Sequence, residues 1–445
     1  MPIAPSLAQQ IKCNVLTDRG LQRFSSDFGA SQVRTPSAVF LRPSNDDLSA
    51  ILKHAAANNL QVSLRGSGHS CAGQTLNNGL VVNTSDNANP ILAINEASVK
   101  VNAGATWGSV EAALRRKGRQ IPILADHYGL SVGGTLAVGC YGADSLKWGA
   151  LVHQVEALDL ITGSGEQVSC TKTENADLFN AALAGLGGVG IIRSATIRTT
   201  RLQKYTTWHS YRCGSLSELA EIALGLPTEG VAAFKALHAN GRYVANAGNH
   251  FDQWREALAS PSPIKQKQTL RWSTPRYRSF RSLGVKLWVG RYSGTAKLWS
   301  DYLLDEHALI TVCTFLDQAL LNKHIANYIK AIYFLPVKRS PSAICLEGTG
   351  HLSGEMAYGL GIYAMAKRGS DTQPLRAFLR EALEVAMGQG GKPYLYGHHD
   401  LSMGELASLY GDGWQDYTQA VNKWNPNQTL KVPLLERATT KSEAS

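Results

Sequence analysis

Short apolar runs alternate with helical patterns through the first third of the chain. Ala38–Leu41 (AVFL), flanked by Pro36 and Pro43, reads as a strand. Asp46–Asn58 repeats apolar positions at helical spacing. It opens on two carboxylates, which suit the positive end of a helix dipole, so it predicts a helix. Gln61–Leu64, Leu80–Asn83 and Lys100–Asn102 predict further strands, and Ser109–Lys117 a second helix. Val155–Thr162 (VEALDLIT) and Glu166–Cys170 (EQVSC) flank the turn Gly163–Gly165 in the manner of a hairpin, and Ile191–Thr199 alternates like a strand. This order predicts an α+β domain.

The pattern changes beyond Arg201. Leu216–Leu226 and Gln318–Tyr333 predict helices, while Val285–Val289 (VKLWV) and Leu309–Thr314 predict strands. A helix over Trp414–Trp424 and a turn at Asn425-Pro426 follow. A length of 445 residues exceeds what one core ordinarily serves, so two domains are expected. We place the first at residues 1–200, completed by 395–445, and the second at 201–394.

Composition narrows the class. With 44% hydrophobic and 18% charged residues the chain reads as a globular protein, and only Ala438–Ser445 reads as unstructured. No apolar run is long enough for a membrane span, and the first residues lack a signal-peptide pattern. A cytoplasmic protein without membrane contact is the expectation. Seven widely spaced cysteines with no CxxC pair argue against a disulfide framework or a structural zinc. The net charge of +10 raises the question of an anionic partner. The densest basic stretch, Arg271–Arg281 (RWSTPRYRSFR), reads as a solvated loop or helix flank. No nucleic-acid motif accompanies it, so no nucleic-acid partner is expected.

The chemistry concentrates in glycine loops. Arg65-Gly66-Ser67-Gly68-His69-Ser70 follows a predicted strand, with Gln74 shortly after. Glycines at 66 and 68 permit a left-handed backbone and a close approach to a ligand, and successive N–H groups in such a turn suit a pyrophosphate. The loop has neither the GK[ST] ending of a Walker A sequence nor a GxGxxG opening a long helix. A second cluster, Gly133-Gly134-Thr135 with Gly129, Gly139, Gly142 and Gly149, is too dense for a single turn. It fits a loop wrapped on a flat ligand. A third is Gly185–Gly190 (GLGGVG).

The ordered set RGxGHSxxGQ, an Asp seven residues before GGT, a strand pair around TGxGE, and GLGGxGII resembles the p-cresol methylhydroxylase-type FAD-binding domain of the vanillyl-alcohol oxidase superfamily. Within it, cytokinin dehydrogenases are the nearest family. The likeness covers about residues 33–200, returns over 395–430 and is poor in between. It implies FAD bound covalently through His69. It also implies a cofactor surface formed by Arg65, Gly66, Ser67, Gly68, Ser70, Gln74, Gly133, Gly134, Thr135, Gly139, Ile192 and Tyr394. Some relatives carry a second flavin link from a Cys; His127 stands at that position here, so a single link is expected, and Cys140 is read as a small packed residue.

Asp126 occupies the position of the family's proton-accepting carboxylate. Such a base works best when partial desolvation raises its pKa. The family's substrate-orienting Glu has no secure counterpart, Glu229-Gly230 being the nearest dipeptide. His398 and His399 read as hydrogen-bonding or packing residues, and no third ligand is spaced to make a metal site with them. The resemblance implies oxidation of an amine, with O2 or another acceptor reoxidising the flavin. An alcohol, sugar or alditol oxidase on the same scaffold, and a flavin-binding protein or cyclase without net redox turnover, are the alternatives. The sequence leaves the oligomeric state open.

Overall fold

The computed structural model describes residues 5–227, 229–264 and 268–431. The tail expected to be unstructured, Ala438–Ser445, lies outside the described residues. The chain folds into two α+β halves, as its element order implies.

The first half holds two sheets. One has the order Asn14–Leu16, Ala38–Leu41, Leu80–Asn83, Val62–Arg65. Its last three strands run parallel, which requires a crossover, and the helix Asn45–Ala57 supplies one. Ser44 caps that helix, its hydroxyl accepting from the Asp47 amide while the Asp47 carboxylate accepts from the Ser44 amide. The second sheet is antiparallel throughout: Ile91–Ile94, Ser98–Asn102, Gly190–Arg198, Val155–Thr162, Gln167–Thr171.

The second half is organised on one antiparallel sheet of eight strands. Its order is Gln268–Ser273, Tyr205–Cys213, Arg242–Phe251, Ala233–Ala239, Ile329–Lys338, Met356–Lys367, Thr295–Leu304, Lys392–Pro393. The helices Leu216–Leu224, Glu306–Leu321 and Gln373–Gly388 pack on this sheet and on one another.

Three elements differ from the sequence reading. Val285–Val289 lies inside the long helix Thr274–Gly290, and Leu309–Thr314 lies inside Glu306–Leu321. A short apolar run does not distinguish a strand from the buried stripe of a helix. In the second case the stripe is Leu309, Val312, Cys313 and Leu316, all buried. Gln318–Tyr333 is not one helix. It stops at Leu321, and the Asn322 side chain accepts from the His324 and Ile325 amides to start the short helix Lys323–Tyr328. From Ile329 onward, pairing with Met356–Lys367 turns the chain into a strand.

The C-terminal segment returns to the first half. The helix Asp412–Trp424 lies on Ala176–Ala182, and the Tyr417 hydroxyl donates to the Gly185 carbonyl at 2.8 Å. Val62 and Leu430 then bridge in parallel. Buried Asn425 fastens the return: its amide group donates to the Gly188 and Leu430 carbonyls at 3.0 Å each, and its oxygen accepts from the Leu430 amide at 3.1 Å. Asn425→Ala strands these groups, and each unsatisfied buried polar group costs about 1–3 kcal/mol. Chemical denaturation is therefore expected to show a loss of about 2–4 kcal/mol; an unchanged midpoint and slope would show that the fastening does not hold the fold.

Candidate active site

The strand Val62–Arg65 delivers the first glycine loop to a cavity of about 180 Å3. Gly66, Ser67, Gly68, His69, Ser70 and Gln74 line it, together with Gly133, Gly134 and Thr135 of the second loop and Ile192 of the third wall. Gly68 has φ +76°, a left-handed backbone that glycine adopts without strain. The two loops press together. The Ser131 amide donates to the Ser67 hydroxyl at 3.1 Å, and a Cβ on Gly66 would lie 2.1 Å from the Ser131 Oγ.

Asp27, which the sequence reading did not single out, holds the first loop in place. Its carboxylate accepts from the Ser70 hydroxyl at 2.9 Å and from the Gly73 and Ala30 amides at 2.8 and 3.0 Å. Burial pushes its pKa up despite these donors.

Three residues expected at the cofactor, Arg65, Gly139 and Tyr394, do not line this cavity. The Arg65 guanidinium turns back to donate to the Ser26 carbonyl at 3.0 Å and lies 5.4 Å over the Phe24 ring, so it buttresses the loop from behind. Gly139 packs beside the Tyr394 ring.

A second, larger cavity of about 540 Å3 adjoins the first. His69, Leu130, Thr135, Val138 and Tyr396 line both, so His69 stands at the junction. Burial, with His127 and Arg65 nearby, lowers its pKa to about 4, leaving a neutral imidazole at physiological pH. The His127 ring meets it edge-on at 4.5 Å, and His127 Nδ1 accepts from the Gly129 amide at 2.9 Å. Tyr396, whose hydroxyl accepts from the Cys71 thiol at 3.1 Å, belongs to both cavities. Tyr394, expected at the cofactor, lines only the second, and its hydroxyl accepts from the Cys140 amide at 3.1 Å.

The second cavity lies between the halves. Phe28, Asp126, His127 and Tyr141 face it from one side; Lys235, Arg281, Trp288, Trp299, Tyr333 and Tyr363 face it from the other. Asp126 reaches it as expected, but with the opposite electrostatics. Its carboxylate accepts from Lys235 Nζ at 2.5 Å and pairs with the Arg281 guanidinium. Burial alone would raise its pKa; Arg281 and Lys235 instead hold it well below the usual carboxylate range. A raised-pKa base at Asp126 is therefore overturned, because two cations favour its charged form.

The basic stretch Arg271–Arg281 is likewise not a solvated surface throughout. Arg278 is 9% exposed and pairs with Asp144 at 3.2 Å and Glu111 at 3.7 Å, while Arg281 faces the cavity. Glu229 is exposed and lines neither cavity. His398 and His399 also stand away from both. His399 Nε2 lies 3.0 Å from the Tyr394 carbonyl, and His398 contacts Arg376 at 3.0 Å.

Beside Tyr333 stands another carboxylate with an elevated pKa, Asp301. Burial pushes it up to about 7, and the one donor opposing this is the Tyr333 hydroxyl, at 3.0 Å from Oδ1. Asp301 Oδ2 is buried with no partner among the described residues. The pair spans two strands, with Gly361 on the strand between them directly opposite both. A Cβ at Gly361 would stand 2.3 Å from both Asp301 Oδ1 and the Tyr333 ring, so only glycine leaves room for the contact. A Gly in an apolar strand hints at such a close approach, but the two neighbours of Gly361 are legible only once the strand order is known.

The geometry defines a class: a glycine-walled cradle for an extended phosphate-bearing cofactor, opening onto an aromatic chamber between two domains. The donor set fits FAD, since loop amides without side chains suit a pyrophosphate and the apolar walls suit a flat ring. Among the described residues, no three His, Cys, Asp or Glu gather as metal ligands, and no helix is long and apolar enough to cross a membrane.

Comparison with known proteins identifies the domain that carries the first loops. Residues 36–171 match the FAD binding domain family. The chain carries a p-cresol methylhydroxylase-type FAD-binding domain and is an FAD-dependent oxidoreductase. It is 26% identical over 435 residues to an uncharacterized oxidoreductase, ORF5 in the fasciation locus of Rhodococcoides fascians, covering 93% of this chain and 96% of that protein. It is 35% identical to cytokinin dehydrogenase 2 of Arabidopsis thaliana over 187 residues, which is 41% of this chain and only 37% of that one. The fold matches a chitooligosaccharide oxidase and the xylooligosaccharide oxidase of Myceliophthora thermophila, each with a TM-score of 0.77 over 96% of this chain and 98% of theirs, at 14% and 18% identity.

Because Asp27 gathers two donors, Ser70 and Gly73, from the loop that carries His69, Asp27→Ala is expected to lower the flavin-to-protein absorbance ratio of the purified protein severalfold. Full flavin loading in that variant would show that the loop keeps its shape without the carboxylate.

Proposed function

We propose that this chain is an oxidase or dehydrogenase that holds FAD through a single covalent bond to His69 and oxidises a carbon bearing an amine or hydroxyl group. The observation that carries the reading is the meeting of the two cavities at His69. Bound there, FAD supplies the two-electron acceptor for the substrate carbon. A neutral imidazole supports the anchoring role, because bond formation to carbon needs a free ring-nitrogen lone pair. The residues of the first cavity, from Gly66 to Gln74 and from Gly133 to Thr135, with Ile192, are then the cofactor-binding set.

Oxidation at such a carbon also requires the adjacent N–H or O–H to lose its proton. Asp126 is engaged by two cations, so we assign proton acceptance to Tyr333 backed by Asp301. Tyr333 lines the cavity and its hydroxyl donates to Asp301; in this relay its oxygen takes the substrate proton as its own proton passes to Asp301, which leaves the phenol neutral. This relay suits a tyrosine whose pKa burial and Asp301 raise well above its ordinary value. An amine substrate is suggested by the cytokinin dehydrogenases, and an oligosaccharide hydroxyl by the structural neighbours. The aromatic walls accept a flat ring or a pyranose face equally, so a panel of amines and oligosaccharides decides between them. O2 or another acceptor closes the cycle.

Acid precipitation of the purified protein should leave flavin in the washed pellet, and His69→Ala should move it to the supernatant. A variant still covalently yellow would mean that another residue is the anchor. Asp301 must be ionised to accept a proton, and its pKa lies near 7. The rate of flavin reduction should therefore rise with pH through about 7 and flatten above it. Asp301→Asn should remove that rise and slow reduction at least about a hundredfold, and Gly361→Ala, which separates the pair, should act in the same direction. A pH profile unchanged in Asp301→Asn would eliminate the relay.

A further inference from the structure

The substrate cavity has a charge imbalance that the flavin chemistry leaves unexplained. Lys235, Asp126 and Arg281 come from three different parts of the chain and converge on its wall. Lys235 lies on the strand Ala233–Ala239, whose alternate residues Leu237 and Ala239 face the same space. Arg281 projects from the helix Thr274–Gly290, held 5.5 Å from each of the Trp208 and Tyr277 rings. Two cations thus face one carboxylate, a net charge of +1.

The carboxylates behind them are engaged elsewhere: Asp301 lies behind Tyr333, whose hydroxyl it accepts from, and no ion pair joins it to Lys235 or Arg281 among the described residues. Arg278 and Arg115 stand against Glu111 and Asp144, and His250 also contacts Asp144. His69 and His127 bring no negative charge. Among the described residues, Lys235 Nζ makes one hydrogen bond, to Asp126, and has two further protons to donate. An ammonium in an aromatic-walled chamber is poorly solvated unless an anion completes its shell. The pair is also pre-aligned, because Asp126 fixes the positions of both cations before any ligand arrives.

We propose that the substrate carries an anionic group of the carboxylate kind, held between Lys235 and Arg281, with an apolar or aromatic body against the cavity walls. Asp126 is then a positioning residue that spaces the two cations. This rests on the reading of the second cavity as the substrate site, but it does not depend on flavin being bound.

The test is calorimetric titration of the full chain as purified, with matched carboxylate and amide probes: phenylacetate against phenylacetamide, and benzoate against benzamide. The amides keep the shape and remove the charge. The carboxylates are expected to bind about tenfold or more tighter than their amides, the size of a charge-assisted hydrogen bond over a neutral one. Lys235→Met retains the Arg281–Asp126 pair, so no buried carboxylate is orphaned; it is expected to bring the ratio close to one, while Lys235→Arg keeps it. Melting temperatures of both variants check that the fold is intact. Equal affinity for acid and amide, binding of neither acid, or a preference that survives in Lys235→Met would overturn the proposal. Flavin in the same samples is measured by acid precipitation. Flavin-loaded protein with no preference for acids sinks this inference alone, whereas protein that prefers acids yet never carries flavin sinks the flavoenzyme reading and leaves this one standing.

Discussion

The site depends on the approach of two backbones with no side chain between them. The first glycine loop and the segment before Gly133-Gly134 touch through the Ser131 amide and the Ser67 hydroxyl, and a single added carbon at Gly66 would force them apart. That closeness gives the cradle its continuous wall and fixes where His69 points. Asp27 serves the same geometry from the other side, trading the cost of a buried carboxylate for three donors that would otherwise be unsatisfied. The C-terminal segment, tied down by Asn425, closes the sheet from which the first loop emerges.

On this base the second half of the chain supplies a chamber whose charged groups are set by their neighbours rather than by their residue type. Two carboxylates illustrate the rule. Asp126, beside an ammonium and a guanidinium, is locked in its charged form; Asp301, with one phenol for company and an oxygen facing no donor among the described residues, is pushed toward neutrality. The first is suited to arranging cations and the second to moving a proton. Opposite environments, one in the chamber wall and one buried behind Tyr333, separate these two tasks without any difference in side-chain chemistry.

Much of the first half was legible in the chain. The parallel strands, their crossover helix, the hairpin around Gly163–Gly165 and the glycine loops are local patterns, written in consecutive residues. His69, Ser70, Gln74, Gly133 to Thr135 and Ile192 line one cavity, and the sequence pointed to them as a group because they lie in or beside the glycine loops. Arg65 was misread for the same reason: it belongs to the motif in sequence, yet its long side chain reaches backward to Ser26. In the second half the apolar runs of Val285–Val289 and Leu309–Thr314 have strand composition but sit in helices; the second forms a buried helical stripe, while Leu287 of the first is exposed.

The sequence alone thus determined the cofactor end of this protein: a glycine-walled loop with a histidine in it, because turn chemistry depends on residues next to one another. The tertiary structure decided the charged groups in and behind the chamber between the halves. Asp301, Gly361 and Tyr333 meet only through the order of three strands in a sheet, and Asp126, Lys235 and Arg281 only through the packing of a loop, a strand and a helix. A carboxylate's affinity for its proton depends on the charges and the burial around it, and those are properties of the folded arrangement of residues far apart in the chain.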